Sequence, residues 1–304
     1  MFTKVCNAED AACFIEAMRR QEATGYATHN YLRTMEGEGH AEPSVRGKAP
    51  LNCEDAVNAD CRSRMVEWCF QVADFCKYER ETVEISMNSL DRFLITPQGR
   101  PVLKDRKTFQ LAAITCLYTA IKVHEPEAID PQMMSGLSRG IYSAKQFEAM
   151  ELEILAANQW HVNAPTSMSF VRLFLALLPE DAMVDDELAA ISEFAKYQTE
   201  LAVGQNSLVG VSASTIALAA IANALEAVDD LELKCACIES ISETAKVDIH
   251  SHSFVKTRGL LWRAVNEDGH DQQRRLMPQS PSAAKVVERS SAIYASPRAV
   301  VSIR

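Results

Sequence analysis

The sequence predicts an all-α protein built from two tandem five-helix lobes, and three observations lead to this prediction. Only 11 Gly and 11 Pro occur among 304 residues, which is few for a chain made of turns and strands. Apolar residues recur at helical spacing (i, i+3, i+4, i+7) through most of the chain. Each half also contains one segment that is apolar nearly all round, and such a helix must be surrounded by other helices.

The periodicity divides the chain into four parts. Residues 1–55 are expected to form an N-terminal helix and a linker, since a stretch with Gly and Pro but no apolar period occupies 36–50. The first lobe is predicted over 56–163 and the second over 164–267. The remaining 268–304 are rich in Gln, Ser, Arg and Pro, and a disordered tail is predicted because they cannot bury enough apolar surface to fold.

The first two helices of the first lobe are each indicated by one apolar stripe. The stripe of the first helix comprises Met65, Trp68, Cys69, Val72 and Cys76. The stripe of the second comprises Val83, Met87, Leu90 and Leu94. A break at Lys77-Tyr78 separates the two helices, and a loop containing Pro and Gly is predicted over 95–105.

The third helix of the first lobe, Arg106–Val123, is the one that is apolar nearly all round, and Asp105 is expected to cap its start. A short helix is predicted near Pro131–Leu137, and Ser143 is expected to cap the fifth. The second lobe repeats this order, and its third helix is again apolar nearly all round. Its helices are predicted at 167–178, 186–203, 212–228, 231–246 and 253–265.

The charge and hydropathy of the chain restrict its partners. A net charge of -10 argues against binding nucleic acid, although the tail carries more basic than acidic residues. The N-terminus lacks the apolar core of a secretory signal. The most apolar stretch, 211–228, is too short and too polar to span a bilayer. We therefore expect no membrane partner and a nuclear or cytoplasmic location, or both.

The nine cysteines show no regular spacing, and an odd number without an export signal indicates reduced thiols. Cys235 and Cys237 precede His250 and His252, a combination that can suggest zinc. On a helix, however, the C-x-C and H-x-H spacings separate the two ligands by about 200°. These four residues are therefore interpreted as ordinary helix residues, and neither a metal nor a cofactor is expected.

Sequence motifs of the common enzyme classes are missing. The chain contains no P-loop, dinucleotide-binding, zinc-protease or nucleophile-elbow motif, and none of the protein-kinase motifs. The paired carboxylates at Asp185-Asp186 and Asp229-Asp230 fall at predicted helix starts, where acidic residues favour the helix dipole. The sequence predicts a binding protein without catalytic residues, and a metal-dependent helical enzyme is the remaining alternative, which metal analysis would reveal.

The most specific motifs are Met-Val-Glu-Trp at 65–68 and Asn-Ser-Leu-Asp-Arg-Phe-Leu at 88–94. They resemble the cyclin box, whose first helix carries V-[DE]-W and whose second ends in L-D-R-F-L. The five signature residues of cyclins also match in order and spacing. They fall on Arg62, Asp91, Leu111, Lys122 and Glu151. The resemblance covers about 56–162 well and the second lobe only in pattern. Within the family, the residues at 62–94 and 138–140 are most similar to those of diatom cyclins.

This resemblance implies two tandem cyclin folds and a regulatory subunit that binds and activates a cyclin-dependent protein kinase in cell-cycle control. Lys122 and Glu151 would contact the backbone around the mobile helix of the kinase. Phe147 and Trp160 are either apolar neighbours of that contact or ordinary core residues. Docking would push that helix inward, so that its Glu pairs with the Lys that holds the ATP phosphates. The cyclin would supply no chemistry of its own but would stabilise one of two kinase states.

The same resemblance assigns structural roles to the other signature residues. Arg62 and Asp91 are expected to form a buried ion pair between the first two helices, because a buried guanidinium needs a carboxylate partner. Leu111 is expected to lie in the core of the lobe.

A substrate-docking patch is the part of the resemblance that departs from the family pattern. Many cyclins bind R-x-L peptides in a groove, and Met65, Trp68 and Gln110 occupy its positions here. Arg64 replaces an isoleucine of that groove, so binding of standard R-x-L peptides is expected to be poor. Residues 51–55 nearly spell the L-x-C-x-E motif that binds retinoblastoma protein, but they end in Asp.

Two other interpretations of the cyclin resemblance stay open. The chain could be a degenerate cyclin that acts as a scaffold without activating a kinase, or a transcription-related adaptor with a cyclin fold. The tail also contains Ser280-Pro281 and Ser296-Pro297, which are minimal sites for proline-directed kinases.

Overall fold

The computed structural model describes residues 7–32, 56–127, 129–179 and 183–276, the last eight of these as backbone only. Across these residues the regular structure consists of eleven α-helices and three short 3-10 helices, with no strand. The predicted all-α fold is confirmed. None of the described helices is both long enough and apolar enough to cross a membrane.

The helices follow the predicted order, with one N-terminal helix and five in each lobe. The N-terminal helix is α1 (Ala8–Ala23), and the first lobe contains α2 (Ala59–Cys76), α3 (Glu81–Ile95), α4 (Arg106–His124), α5 (Pro131–Leu137) and α6 (Ala144–Ala157). The second lobe contains α7 (Ser167–Ala176), α8 (Asp185–Gly204), α9 (Ala213–Ala224), α10 (Leu231–Ala245) and α11 (His252–Leu276). The 3-10 helices are Arg100–Lys104, Asn206–Leu208 and Leu225–Ala227.

Side-chain caps define several helix starts. The Asp105 carboxylate accepts the backbone N–H of Thr108 at 2.9 Å, so it caps α4. Ser143 and Gln146 form a reciprocal capping box at the start of α6. Asp230 caps α10 by accepting the N–H of Leu233 at 3.0 Å. The caps at Asp105 and Ser143 are those that the sequence predicted.

The core of the first lobe is built around α4. Every residue from Phe109 to Ile121 is buried, which explains why this helix has no polar face. Helices α2, α3, α5 and α6 all pack against it. Because α4 is held on all sides, the residues at its C-terminal end have fixed positions relative to α6.

The second lobe has the same design, with α9 at its centre. Every residue from Ile216 to Ala224 is buried, and α7, α8, α10 and α11 pack around them. The N-terminal helix α1 packs against α7 and α10. It therefore belongs to the same compact unit as the second lobe, whose own residues start at Ala164. Ala11 and Ile15 are the fully buried residues of α1.

Polar contacts also hold α1 on the second lobe. The Glu22 carboxylate accepts the N–H of Ser214 at 3.1 Å, and thereby satisfies a free donor in the first turn of α9. Arg19 donates to the Ser214 hydroxyl at 2.9 Å and to the Lys246 carbonyl at 3.1 Å, at the end of α10. A charged pair on α1 therefore complements the start of one helix and the end of another.

The last helix is longer than the sequence predicted. Helix α11 continues to Leu276, whereas a disordered tail was predicted to begin at 268. The polar composition of this stretch does not end a helix, because the backbone hydrogen bonds are made within the helix and the Gln and Arg residues at 272–275 are good helix formers. The remaining tail, with both of its Ser-Pro pairs, and the near L-x-C-x-E motif at 51–55 lie outside the described residues.

Two glycines are expected to respond to substitution in opposite ways. A Cβ at Gly99 would lie 2.0 Å from the Phe93 carbonyl oxygen, so Gly99→Ala should destabilise the protein by about 1–3 kcal/mol. A Cβ at Gly259, on α11, would meet nothing within 4 Å, so Gly259→Ala should stabilise it by up to about 1 kcal/mol. Urea unfolding of both variants checks the prediction, and equal stabilities would contradict it.

Candidate partner-binding site

Arg62 on α2 and Asp91 on α3 form a buried, bidentate ion pair. Arg62 donates from Nε to Oδ1 of Asp91 at 3.0 Å and from NH2 to Oδ2 at 2.7 Å. Burial acts to lower the pKa of Arg62, but its contact with Asp91 raises that pKa, and the guanidinium stays charged. The pair fixes how α2 crosses α3 because the planar guanidinium accepts one carboxylate orientation.

Tyr31 is a third member of this cluster that sequence reasoning missed. Its hydroxyl donates to Oδ1 of Asp91 at 2.9 Å, and its side chain is buried. Burial raises the pKa of Tyr31 well above its usual value, with the nearby Asp91 charge adding to the effect, so the hydroxyl keeps its proton. The segment before the linker is thereby attached to the first lobe.

Arg92, next in sequence to Asp91, holds the turn that follows α6. It donates to the carbonyls of His161 at 2.9 Å and Asn158 at 3.0 Å. The Asn158 amide in turn donates to the Ser89 carbonyl at 2.9 Å. These bonds tie the turn after α6 to α3.

The same turn presents Trp160. Gln159 and Trp160 both adopt left-handed backbone conformations, with φ of 55° and 61°, so the chain reverses sharply after α6. The Trp160 side chain is 63% exposed. The ring is therefore accessible to solvent, and its contact with a partner stays a prediction.

Lys122 at the end of α4 and Glu151 on α6 meet at the surface of the first lobe. The distance from Lys122 Nζ to Glu151 Oε1 is 2.6 Å, with side-chain exposures of 41% and 12%. The Thr119 hydroxyl donates to the same oxygen at 3.1 Å. The Lys122 ammonium also lies 5.1 Å from the centre of the Tyr118 ring. The structure therefore brings the two predicted contact residues together as one polar unit.

Exposed apolar residues adjoin this pair. Val123 follows Lys122 and is 46% exposed, and Leu152 follows Glu151 and is 60% exposed. We call these four residues the Lys122–Glu151 surface. Sequence reasoning did not single out Val123 or Leu152, although Leu152 falls outside the buried stripe of α6 and could have been found by its helical position. Apolar side chains beside a charged pair are typical of protein interfaces.

The expected partner contact of Phe147 is corrected by the structure. Its side chain is completely buried, and its ring lies 6.0 Å from the Tyr142 ring in an edge-on contact. Phe147 faces the core because it lies three residues before Met150 and seven before Ile154, on the buried stripe of α6. Leu111 is also buried in the core.

The structure also contradicts the expectation that the substrate-docking patch is an exposed apolar groove. The side chains of Met65, Trp68 and Gln110 are all buried. Gln110 accepts a hydrogen bond from the Tyr142 hydroxyl at 2.8 Å, inside the lobe. Arg64 remains partly exposed and pairs with Asp60 at 3.0 Å. These residues do not present a continuous apolar groove.

Weak binding of plain R-x-L peptides is the expected result of this arrangement. The peptide arginine would meet Arg64 rather than an apolar residue, and the apolar side chains beneath are covered. Calorimetry with wild type and with Arg64→Ile measures the effect. Low-micromolar binding to wild type, unimproved by Arg64→Ile, would contradict the prediction.

The cysteine and histidine residues do not converge on a metal site. Within the described ranges, no group of three or more His, Cys, Asp or Glu side chains could hold a metal ion. Burial raises the pKa of Cys116 to about 12 and raises that of Cys237, so these thiols are protonated near neutral pH. Buried, protonated thiols act as small apolar side chains.

The model of the "Cyclin, N-terminal domain" family matches residues 17–163. Among curated relatives, the chain is 27% identical to Cyclin-A1-2 of Oryza sativa subsp. japonica over 197 residues, which cover 64% of this chain and 39% of the relative. It is 36% identical to Cyclin-D4-1 of the same organism over 121 residues, 38% of this chain and 33% of the relative. The G2/mitotic-specific cyclin-B1 of Oryzias latipes is 25% identical, covering 66% and 45%. The chain thus spans less than half the length of these relatives.

Two solved structures that match this chain have lower sequence identity than the curated relatives. A viral cyclin from herpesvirus saimiri has 18% identity and a TM-score of 0.47, covering 63% of this chain and 87% of its own. A chain in the CAK complex from Chaetomium thermophilum, bound to ATP-gamma-S, has 16% identity and a TM-score of 0.45, covering 84% and 72%.

Proposed function

This chain belongs to the cyclin family, and we propose that it is a regulatory subunit that binds a cyclin-dependent protein kinase and raises its activity in cell-cycle control. The observation that carries the proposal is the Lys122–Glu151 surface. It combines an ion pair of 2.6 Å with two exposed apolar side chains, where the C-terminal end of α4 meets the middle of α6.

The chemistry of this surface suits the backbone of a partner helix. A lysine ammonium has three donors and a carboxylate has several acceptor positions, so neither group is saturated by the bond between them. Lys122 can donate to a partner carbonyl while Glu151 accepts a partner N–H. Val123 and Leu152 would be covered at the same time, which removes water from the charged bonds and strengthens them.

The proposed role requires no catalytic group in this chain. A kinase that alternates between two states is shifted toward one of them by a partner that binds that state more tightly. Shifting the equilibrium from 1:99 to 99:1 requires about 5.5 kcal/mol of differential binding. A standard interface of about 1,600 Å² can supply this difference when it contains a few strong contacts.

Co-purification and phosphoryl-transfer assays test the proposal. The full chain is mixed with cyclin-dependent kinases from the same organism, and complex formation and phosphorylation of a generic protein substrate are measured. Binding with increased transfer is the expected result. Binding without activation would make the chain a scaffold, and binding to none of the kinases would overturn the proposal.

A further inference from the structure

Thr119 and Lys122 lie one turn apart on α4 and converge on the same oxygen of Glu151. The Thr119 hydroxyl is 3.1 Å from Glu151 Oε1, and the Lys122 ammonium is 2.6 Å from it. Thr119 itself is buried. One donor of the carboxylate is thus fixed inside the lobe, and the other lies on a long, partly exposed side chain.

A neighbouring threonine shows that this contact is not the default for α4. The Thr115 hydroxyl donates to the Leu111 carbonyl at 2.7 Å, one turn earlier on its own helix, as helical threonines commonly do. The described contact of the Thr119 hydroxyl is instead across to α6. This hydroxyl therefore links the two helices that carry the Lys122–Glu151 surface.

The two donors differ in what happens when a partner arrives. Lys122 is 41% exposed and has four rotatable bonds, so its ammonium can swing toward a partner carbonyl. Glu151 is only 12% exposed. Because a largely buried carboxylate is costly without a hydrogen bond, it needs another hydrogen-bond donor once the Lys122 ammonium has moved away. Thr119 is in place to be that donor.

We infer that Thr119 is a positioning residue for partner binding: its hydroxyl holds the Glu151 carboxylate in the orientation that meets the kinase, and frees Lys122 to make its own contact. This inference rests on the proposed function and assigns to Thr119 a role that the family signature does not include. Valine at 119 has nearly the same shape as threonine but lacks the hydroxyl, so it would leave the Glu151 carboxylate without this donor.

Thr119→Val removes the hydroxyl with little change of shape and is expected to lower kinase affinity about tenfold, as loss of a hydrogen bond to a charged group does. Thr119→Ser retains the hydroxyl and should bind nearly as wild type. Thr115→Val is the matched control, since it removes a hydroxyl from the same buried helix without touching Glu151. Its affinity should be unchanged.

A double-mutant cycle with Glu151→Ala separates positioning from a general structural effect. Once Glu151 is gone, Thr119→Val should cause no further loss of affinity. An equal loss in both backgrounds would show that Thr119 acts through the fold and would overturn the inference. If the wild-type protein binds the kinase and Thr119→Val binds with the same affinity, the inference is overturned but the proposed function stands. If the wild-type protein binds no kinase, the proposed function itself is overturned.

Discussion

Replacing Asp91 by alanine is expected to lower the free energy of unfolding by about 3–5 kcal/mol. The substitution leaves the Arg62 guanidinium buried without the carboxylate that takes two of its donors. It also removes the bond from the buried Tyr31 hydroxyl to Oδ1 of Asp91. Since the whole stability of a domain is typically about 5–15 kcal/mol, a large fraction would be lost. Urea or thermal unfolding of the purified variant measures the effect.

An exposed pair in the same lobe provides the matched control. One guanidinium nitrogen of Arg80, NH1, donates to both oxygens of Asp74 at 2.6 and 2.7 Å, so the same two kinds of group pair here at the surface. Exposed pairs contribute about 1 kcal/mol or less, because water solvates both partners when they separate. Asp74→Ala should therefore be nearly neutral. If Asp91→Ala were equally mild, burial would not be what makes the Arg62 pair important.

Tyr31 and Arg92 show why these contacts could not be predicted from the sequence. Tyr31 meets Asp91 across 60 residues, and Arg92 meets Asn158 and His161 across 66 and 69 residues. Helical periodicity reports which face of a segment is buried, but it does not report which distant polar group lies opposite. Sequence reasoning could pair Arg62 with Asp91 only because the family signature names both.

The central position of two helices could be predicted because their composition allows a single environment. Helices α4 and α9 are apolar on all sides, and a helix of that kind must form the centre of its lobe. Helix α11 was predicted too short because a polar stretch is compatible with either a solvated helix or a disordered tail. Local composition does not distinguish these two outcomes.

The core position of Phe147 has a geometric cause. The family resemblance offered Phe147 as an apolar contact on α6, with the core of the lobe as the alternative, and the side chain is buried. A helix with Phe147, Met150 and Ile154 on its buried stripe turns Leu152 about 200° from Met150, toward solvent. The position on the helix, rather than the size of the side chain, decides which apolar residue a partner can reach.

Lys122→Ala and Glu151→Ala are each expected to weaken kinase binding by about 1.5–3 kcal/mol, because both remove a charge-assisted bond that docking would shield from water. The upper end corresponds to more than a hundredfold in affinity. Titration of the kinase by calorimetry or surface-based binding measures it. Glu153→Ala, an exposed carboxylate on the same helix, is the matched control and should bind as wild type.

Lys122→Ala and Glu151→Ala should differ in thermal stability, because the two side chains are buried to different extents. Glu151→Ala leaves Lys122 with a partly exposed ammonium that water can solvate, so folding should change little. Lys122→Ala leaves a largely buried carboxylate with Thr119 as its remaining described donor, so it should melt at a lower temperature than Glu151→Ala.

Exchanging the two charges separates partner contact from intramolecular pairing. The double variant Lys122→Glu with Glu151→Lys can rebuild an ion pair between α4 and α6, so most of its thermal stability should be retained. The partner would then meet an acceptor where it needs a donor and a donor where it needs an acceptor, so kinase binding should stay lost. If the exchanged variant bound the kinase with wild-type affinity, the pair would serve the fold alone. A partner that contacts Lys122 and Glu151 directly would bind the exchanged charges more weakly.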